Sequence, residues 1–325
     1  MIDRPRRNRV SPGIRDLVAE TRLTPANLVW PAFVTEGSGV RDEISSMPGI
    51  FRFSIDELVR ELTRAHVLGV QGVALFPVIE NNLKDPTGKE SLNPDGLLQR
   101  AIRNIKSNLP GMVVITDVAL DPYSSDGHDG LVMDGEILND ETLPLLAKMA
   151  VAQARAGTDV VAPSDMMDGR VLAIREALDA EGFTKVGICS YCLKYASAFY
   201  GPFRDALDSA PRGGDKKTYQ MDVRNQREAL REIELDEAEG ADWLLVKPGL
   251  PFLDMIRLAR ENSALPIAAY HVSGEYAMLK AAAAKGWLDY EQCLLESLMC
   301  MRRAGADILF TYGALDAAEL LQGNR

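Results

Sequence analysis

The apolar residues of this chain fall into short runs that alternate with longer segments of helical periodicity. Short apolar runs bounded by turn residues are typical of buried strands, whereas apolar residues three and four positions apart predict amphipathic helices. The short runs predict strands at 28–34, 72–76, 112–120, 159–162, 185–191, 242–247, 266–273 and 307–312. The periodic segments predict helices at 55–68, 96–109, 141–156, 170–180, 224–239, 252–261, 275–285 and 290–304.

One short pattern recurs where a predicted helix meets the next predicted strand. The helix ends on a glycine, and an aspartate stands two positions later, as in 156–159, 239–242 and 304–307. Glycine takes the left-handed conformation that ends many helices. Eight strands alternating with helices predict an α/β fold, a single (β/α)8 TIM barrel over residues 27–325, preceded by an extended N-terminal arm at 1–26. A doubly wound open sheet is the alternative, but no Gly-x-Gly-x-x-Gly follows an early strand.

Composition narrows the classes of function. The chain has 325 residues, 46% of them apolar, and a formal net charge of −11. An acidic chain does not show the basic face of a nucleic-acid-binding protein, and no apolar run reaches the 18 residues of a membrane span. We therefore expect neither nucleic acid nor membrane as a partner. Four cysteines in a chain of this length do not indicate a disulfide scaffold, so we expect a reducing, cytoplasmic location.

The N-terminal arm is rich in arginine and has weak periodicity. The basic residues are not followed by an apolar segment, so we expect no signal peptide. On composition alone, the arm fits a solvated tail and a segment that wraps a neighbouring subunit equally well.

A lysine stands at the end of the apolar run 242–247. Lys247 is followed at once by Pro248 and Gly249, which stop a strand and allow a turn. Burial disfavours the charged ammonium, and a lysine with a lowered pKa is what Schiff-base chemistry requires. The alternative is a lysine whose ammonium group simply reaches solvent at a strand end.

Other polar residues follow the predicted strands at the same end. In a barrel of this kind the C-terminal ends of the strands form one mouth, where active sites lie. The residues expected there include Lys194, Lys247, Ser273, Tyr312 and a loop with several aspartates at 117–130. Each of two neighbouring lysines lowers the pKa of the other and can form an imine with a ketone.

Three weaker features near this mouth leave alternatives open. The aspartates of the 117–130 loop suit a hard cation such as Mg2+, but aspartate also favours turns. His128, in the same loop, either positions a ligand or hydrogen-bonds the loop. Cys189 and Cys192 have the spacing of a redox pair, although two buried strand cysteines are the stronger interpretation.

The stretches 117–130, 163–170, 190–204, 246–249 and 270–276 together resemble the porphobilinogen synthase (5-aminolevulinate dehydratase) family, and the resemblance covers essentially the whole chain. It implies a lyase that condenses two molecules of 5-aminolevulinate into porphobilinogen, the pyrrole precursor of haem and chlorophyll. It also implies a homo-oligomer, expected to be an octamer.

The resemblance assigns roles to individual residues. Lys247 matches the lysine that binds the first substrate as a Schiff base, and Lys194 matches the lysine that binds the second. Proton transfers would use Asp117 and the two lysines. Further matches bind the substrate carboxylates, with Ser273 and Tyr312 on the first substrate and Arg204, Lys216 and Gln220 on the second. Lys216 lies in the stretch 211–217, which is similar to the mobile lid of the family.

The metal content follows from a departure within the 117–130 loop. Many members of the family bind a catalytic zinc through three cysteines, and the matching positions here are Ala119, Asp121 and Asp129. Zinc prefers thiolates, so we expect no catalytic zinc and a member of the magnesium type, bacterial or plant-like. Asp126 departs further, since histidine is common there. The allosteric magnesium site of the family matches Glu232, with Asp165 and Arg170 in its outer shell.

Two other functions fit the same fold. A class I Schiff-base aldolase acting on a phosphate-bearing substrate would need one lysine and a glycine-rich loop after the last two strands, where Ser273-Gly274 and Gly313 offer little. A barrel that binds a ligand without catalysis would need no reactive lysine.

Overall fold

The structure, a computed structural model, describes residues 1–207 and 211–323. The strands are β1 Leu28–Val34, β2 Arg41–Glu43, β3 Phe51–Phe53, β4 Gly72–Pro77, β5 Val113–Val118, β6 Leu131–Met133, β7 Glu136–Leu138, β8 Val160–Pro163, β9 Gly187–Lys194, β10 Trp243–Lys247, β11 Ile267–His271 and β12 Ile308–Thr311. The helices are α1 Pro12–Leu17, α2 Ile55–Val67, α3 Leu97–Asn108, α4 Asn139–Ala156, α5 Arg170–Ala180, α6 Gly201–Leu207, α7 Arg227–Ala238, α8 Leu253–Asn262, α9 Ser273–Ala284, α10 Tyr290–Ala304 and α11 Ala314–Gly323.

The predicted strands form a closed parallel barrel. Their order is β1-β4-β5-β8-β9-β10-β11-β12, and β12 pairs with β1 through Leu28 and Leu309 to close the ring. All eight predicted strands and all eight predicted helices are present, with ends that differ by a few residues. The prediction of a (β/α)8 barrel is confirmed, and the doubly wound alternative is wrong. No helix in the described ranges has the length and apolarity needed to cross a membrane.

The strands place alternate side chains inside the barrel and beneath the helices. On β11, Ala268 and Tyr270 belong to the inner cluster with Phe310, whereas Ile267 and Ala269 pack in the outer layer. The same alternation places Leu245 of β10 inside. Lys247, two residues further along the strand, therefore points into the barrel and not toward solvent.

The recurrent glycine and aspartate joints lie at the N-terminal ends of the strands, at the end of the barrel opposite to Lys247. Their glycines take positive φ angles, which suit a residue without Cβ, and these are 109° at Gly157, 101° at Gly240 and 130° at Gly305. Each aspartate carboxylate accepts a hydrogen bond from a backbone N–H at the start of the preceding barrel strand. The pairs are Asp159 with Val114 at 2.8 Å, Asp242 with Ile188 at 2.8 Å and Asp307 with Ile267 at 3.1 Å. The motif thus fixes how neighbouring strands start.

Several short elements were not predicted from the sequence. They are the hairpins β2–β3 and β6–β7, the helices α1, α6 and α11, and isolated helical turns. Strand β9 also runs to Lys194, beyond its predicted end at Tyr191, and Ser273 opens helix α9 where it was expected to end a strand. All of these except α11, which has ten residues, are at most seven residues long, too short for periodicity to separate them from loops.

Residues before β1 make few contacts with the barrel. A helical turn at Pro5–Arg9 and helix α1 contain no buried residue. Several large apolar side chains there are largely exposed, among them Ile2, Val10 and Leu17. The segment reaches the barrel near Leu23, which is buried, and Asn27, whose side-chain amide donates to the Asp307 carbonyl at 3.1 Å.

Asp242→Ala tests the role of the joints. We expect it to lower the free energy of unfolding by about 1–2 kcal/mol, because the Ile188 N–H loses a charged acceptor. Turnover should stay within about twofold of wild type, since Asp242 lies at the end of β10 away from Lys247. Urea unfolding measures the first quantity. Glu176→Ala, at an exposed glutamate of α5, is the control, and an equal loss of stability there would contradict the assignment.

Candidate active site

Two lysines lie side by side at the C-terminal ends of neighbouring strands. Lys194 of β9 pairs in register with Lys247 of β10. The register shifts between the pairs Leu244–Ser190 and Val246–Leu193, so β9 contains one extra residue, a β-bulge. Without the bulge, Leu193 and not Lys194 would stand beside Lys247.

The bulge also sets the direction of Lys194. Tyr191 faces the barrel interior, and both Cys192 and Leu193 belong to the layer beneath the helices. Two consecutive outward residues return Lys194 to the inner face, where both lysines are buried. The cysteines Cys189 and Cys192 are buried and free, and burial raises the pKa of each thiol, which is unsuitable for a reactive redox pair.

The ammonium group of Lys247 is surrounded by aromatic rings. Its Nζ lies 5.1 Å from the ring centre of Tyr191, 5.0 Å from Tyr200, 5.2 Å from Phe203 and 4.9 Å from Tyr270. Burial and then the positive charge of Lys194 lower the pKa of Lys247 to about 7, against the opposing effect of nearby carboxylates. A large fraction of this amine is therefore neutral, and nucleophilic, at physiological pH.

Lys194 occupies a more polar position. Its Nζ donates to the Ser164 carbonyl and lies 3.4 Å from Asp129 Oδ2, while the Tyr191 ring centre is 5.9 Å away. The two lysines are therefore in different surroundings. A carboxylate accompanies Lys194, whereas aromatic rings surround Lys247.

The loop after β5 supplies a network of buried charges. Lys216 Nζ lies 2.8 Å from Asp129 Oδ1 and 3.3 Å from Asp121 Oδ2. Burial would raise the pKa of Asp129, but Lys194 and Lys216 hold it well below its usual range. Burial raises the pKa of Asp121, and Lys216 opposes that rise. The carboxylates of Asp121 and Asp129 are thus engaged with lysines.

Asp117 at the end of β5 is suited to proton transfer. Burial and the neighbouring Asp121 raise its pKa to about 6, while Lys194 and Lys247 oppose the rise. One carboxylate oxygen, Oδ1, is buried without a hydrogen-bond partner among the described residues. A carboxyl group with this pKa exchanges protons readily near neutral pH.

These residues line one cavity at the mouth of the barrel. It brings together seven of the predicted residues, Asp117, Asp121, Lys194, Arg204, Lys216, Gln220 and Lys247. Its volume is about 30 Å3, room for only a few water molecules. Gln220 Oε1 is buried without a partner in the described ranges, so a polar group is available for a ligand.

Helix α6 and residues 211–220, here called the covering segment, contribute to the wall of the cavity. Phe203 and Arg204 of α6 lie in the cavity wall. Arg52 of the β2–β3 hairpin holds α6 by donating to the carbonyls of Ala206 at 2.8 Å and Asp205 at 3.0 Å.

His128 connects the 117–130 loop to the covering segment. Its Nε2 lies 2.8 Å from the Gly213 carbonyl oxygen, and its Nδ1 lies 3.1 Å from the Tyr219 hydroxyl. Both ring nitrogens therefore contact residues outside the 117–130 loop, so His128 ties that loop to residues 213–219 and has no ring nitrogen left for a ligand.

Ser273 and Tyr312 lie outside the wall of this cavity. Ser273 Oγ accepts from the Phe203 N–H at 3.1 Å, beneath α6. The Tyr312 hydroxyl is 3.2 Å from that of Tyr270 inside the barrel, and its ring stacks on Phe33 at 5.9 Å. Both residues are buried. Tyr270 belongs to the cage around Lys247, so Tyr312 lies in the next shell around that lysine.

A second charged cluster surrounds Arg170 between β8, β9 and α7. The guanidinium pairs with the buried Asp236 at 3.2 Å and donates to Ser190 Oγ at 3.1 Å. Burial raises the pKa of Asp165 to about 7, and Asp165 Oδ2 has no partner among the described residues. Burial likewise raises the pKa of the half-buried Glu232 to about 7.

The predicted metal residues form two groups. Asp121 and Asp129 belong to the lysine network, while Glu232, Asp165 and Arg170 belong to the second cluster. Within residues 1–207 and 211–323, no three His, Cys, Asp or Glu side chains are arranged to hold a metal ion directly. A magnesium ion that keeps most of its water needs only one or two carboxylates, which the second cluster offers.

Several functional residues were missed from the sequence. Tyr200 and Phe203 complete the cage around Lys247, and Ser164 accepts from Lys194. Asp236 is the main partner of Arg170. Tyr200, Phe203 and Ser164 stand in motifs already singled out. No signal in the sequence connects Asp236, on α7, to Arg170.

The chain matches known proteins over its whole length. A family model described as delta-aminolevulinic acid dehydratase matches residues 2–320. The chloroplastic delta-aminolevulinic acid dehydratase of Glycine max is 61% identical over 99% of this chain and 78% of its own length. That of Hordeum vulgare is 60% identical over 99% of this chain and 76% of its own length.

A solved structure agrees with the family model and with these relatives. The structure of the delta-aminolevulinic acid dehydratase of Toxoplasma gondii ME49, in complex with porphobilinogen, has a TM-score of 0.98 and 53% identity. The match covers 100% of this chain and 93% of that chain. The aldolase and the non-catalytic barrel are therefore wrong as alternatives.

The predicted cytoplasmic location is also wrong. The similar enzymes from Glycine max, Hordeum vulgare, Arabidopsis thaliana and Pisum sativum are chloroplastic. Cysteine usage indicates only a reducing compartment, and it does not separate the cytoplasm from the interior of a plastid.

Two buried lysines pair at the barrel mouth, and a carboxyl group with a raised pKa lies beside them. The relatives match 99% of the chain at 60–61% identity. The chain belongs to the delta-aminolevulinic acid dehydratase family and is a porphobilinogen synthase, a lyase that condenses two molecules of 5-aminolevulinate.

Proposed function

We propose that Lys247 binds the first 5-aminolevulinate as an imine. The neutral amine adds to the ketone carbon, a C–N bond forms, and the carbonyl oxygen leaves as water after protonation. The observation that carries this assignment is the burial of Lys247 inside the aromatic cage, because this burial and the adjacent Lys194 lower the pKa of Lys247 to about 7. A neutral amine is the form that attacks a carbonyl.

Lys194 binds the second substrate in the same way. The register of Lys194 with Lys247 supports this, because substrates bound to neighbouring lysines would have their imine carbons close together, as the condensation requires. Asp117 moves protons between the reacting carbons and the leaving waters, since its raised pKa of about 6 suits both donation and acceptance.

The two substrate carboxylates bind to separate groups of residues. Arg204, Lys216 and Gln220 take the carboxylate of the second substrate, as their place in the cavity wall supports. Lys216 then exchanges an aspartate partner for a substrate carboxylate. The hydroxyls of Ser273 and Tyr312 take the first carboxylate, which requires α6 to move away from Ser273.

Members of this family depend on a metal ion. For this chain we propose a hydrated Mg2+ held by Glu232, with Asp165 and Arg170 arranging its waters and no catalytic zinc. The unpartnered Asp165 oxygen and the raised pKa of Glu232 support the placement, because burial of both groups outweighs the positive charge of the nearby Arg170. The ion would act at a subunit interface, away from the chemistry, as an allosteric activator.

The proposed assembly is a homo-octamer in which residues 1–26 form an arm on a neighbouring subunit. The exposed apolar side chains of the arm, including Ile2, Val10 and Leu17, support this because an isolated monomer would leave them in water. The names of the relatives also support a plastid location, where the pyrrole product would enter tetrapyrrole synthesis.

Borohydride trapping with labelled 5-aminolevulinate tests the lysine assignments. In wild type we expect label on Lys247, and in Lys247→Ala we expect no label there and no measurable turnover. In Lys194→Ala, Lys247 should still be labelled, but the midpoint of its pH dependence should move above 7 because a repelling positive charge is removed. Peptide mass spectrometry at several pH values gives both results.

Lys217→Ala is the matched control, because Lys217 is exposed next to the buried Lys216. It should leave the labelling and its midpoint unchanged. A midpoint in Lys194→Ala equal to or below that of wild type would contradict the lowering of the Lys247 pKa by Lys194.

Glu232→Gln tests the magnesium site. We expect it to make activity equal with and without Mg2+, whereas Glu234→Gln, at an exposed residue of the same helix, should keep the stimulation. In wild type the Mg2+ concentration for half-stimulation should rise about tenfold per pH unit below 7, because a protonated Glu232 cannot bind the ion. Titrations at pH 6 and pH 8 measure this. Loss of the magnesium response in Asp129→Ala with none in Glu232→Gln would place the ion in the active-site loop.

Removal of residues 1–18 tests the arm. The cut leaves Leu23 and Asn27, which contact the barrel, in place. We expect particles smaller than the wild-type assembly by light scattering, because the exposed apolar segment no longer reaches a neighbour. An unchanged particle mass would refute the arm's role.

A further inference from the structure

A buried glutamate outside the proposed chemistry lies directly behind the Lys247 strand end. Glu275, in the first turn of α9, is 1% exposed. None of the ion pairs found in the described ranges includes it. A carboxylate is costly to bury without a cation unless other donors surround it, so the donors that surround Glu275 indicate what it does.

The donors are three backbone N–H groups from two different loops. Glu275 Oε1 accepts from Leu250 at 2.7 Å. Glu275 Oε2 accepts from Val272 at 2.7 Å and from Gly249 at 3.4 Å. Gly249 and Leu250 follow Lys247 by two and three residues, and Val272 immediately precedes Ser273. One carboxylate therefore joins the loop after β10 to the loop after β11.

The backbone of Lys247 is held on its other side as well. Its carbonyl oxygen accepts from the Tyr195 N–H at 3.0 Å and from the Tyr200 hydroxyl at 3.2 Å. The loop that follows packs closely against β11, because a Cβ on Gly249 would stand 2.9 Å from the Tyr270 carbonyl oxygen. The Glu275 bonds complete this fixation from the C-terminal side of the strand.

We propose that Glu275 is a positioning residue that sets the place of Lys247 relative to Ser273. It touches neither substrate nor the reacting amine, and it acts through the backbone that carries both side chains. The inference rests on the proposed role of Lys247 as the first imine lysine. It adds a cause for the geometry, since the imine lysine ends β10 and the hydroxyl that binds the same substrate's carboxylate opens α9 after β11, and Glu275 joins the two loops in between.

Glu275→Gln has nearly the same shape and removes the link selectively. A glutamine has one acceptor oxygen, and its NH2 group would face at least one of the three N–H donors. We expect the rate of borohydride-trapped imine formation at Lys247 to fall about 10- to 100-fold, as displacement of a reacting group by about 1 Å does. The kcat should fall with it, while KM changes little.

Asp242→Ala is the matched control, because it removes a carboxylate that holds the opposite end of the same strand. It should lower stability but leave the rate of labelling at Lys247 within twofold of wild type. If Glu275 had only a structural role, Glu275→Gln would likewise lower stability without slowing the labelling of Lys247. A slower labelling rate in folded Glu275→Gln than in folded Asp242→Ala therefore separates positioning from folding.

Glu275→Asp is the second variant, for use also if Glu275→Gln does not fold. It keeps the charge but draws the carboxylate back by one methylene. We expect a labelling rate between those of wild type and Glu275→Gln. If Glu275→Asp is the only variant measured, its labelling rate should be at least threefold below that of wild type. A rate within twofold of wild type in the folded variants overturns the role of Glu275. Absence of label on Lys247 in wild type overturns the proposed function itself, and with it the inference.

Discussion

The site depends on keeping one buried lysine neutral beside another. The pKa of Lys247 falls to about 7 in the folded protein, whereas an unperturbed lysine has a pKa of about 10.4. The unfolded chain therefore binds more protons at neutral pH, and folding carries a penalty on the order of 4 kcal/mol from this group. The penalty is full below about pH 7 and fades as pH rises toward 10.4. The aromatic cage is thus a source of reactivity obtained at the expense of stability.

The carboxylates around the pair keep the total charge tolerable. Asp129 lies between Lys194 and Lys216, and its low pKa keeps it ionised. If all three lysines were charged without it, the cavity would hold uncompensated positive charge in a region with little water. Lys216 also belongs to the segment that covers the mouth. The charges in the cavity are therefore balanced only when that segment is in place. A substrate carboxylate can then replace an aspartate as the partner of Lys216.

The barrel itself could be predicted from the sequence because its strands are buried on both faces and its joints carry glycine. Lys247 could be predicted at the end of an apolar run, but its inward direction follows only from the alternation along β10. Seven predicted residues meet in one cavity. Asp236, Ser164 and the hydrogen bonds of Arg52 could not be predicted, because they join residues distant in the chain through side-chain geometry that leaves no periodic trace. The predicted cytoplasmic location was wrong for another reason, because cysteine usage indicates the redox state of a compartment and does not identify the compartment.

The position of Lys194 shows most clearly what periodicity cannot contain. Strict alternation along β9 from Tyr191 would turn Lys194 toward the helices, and Leu193 would face the barrel. The bulge reverses this by inserting one residue, so that Cys192 and Leu193 both pack outside and Lys194 faces in. A bulge is visible only in the pairing of two strands, and the partner strand lies some fifty residues away in sequence. The second reactive amine is therefore a product of strand register, and the register is held at both ends of β10: by Asp242 at its start and by the backbone bonds around Lys247 at its end.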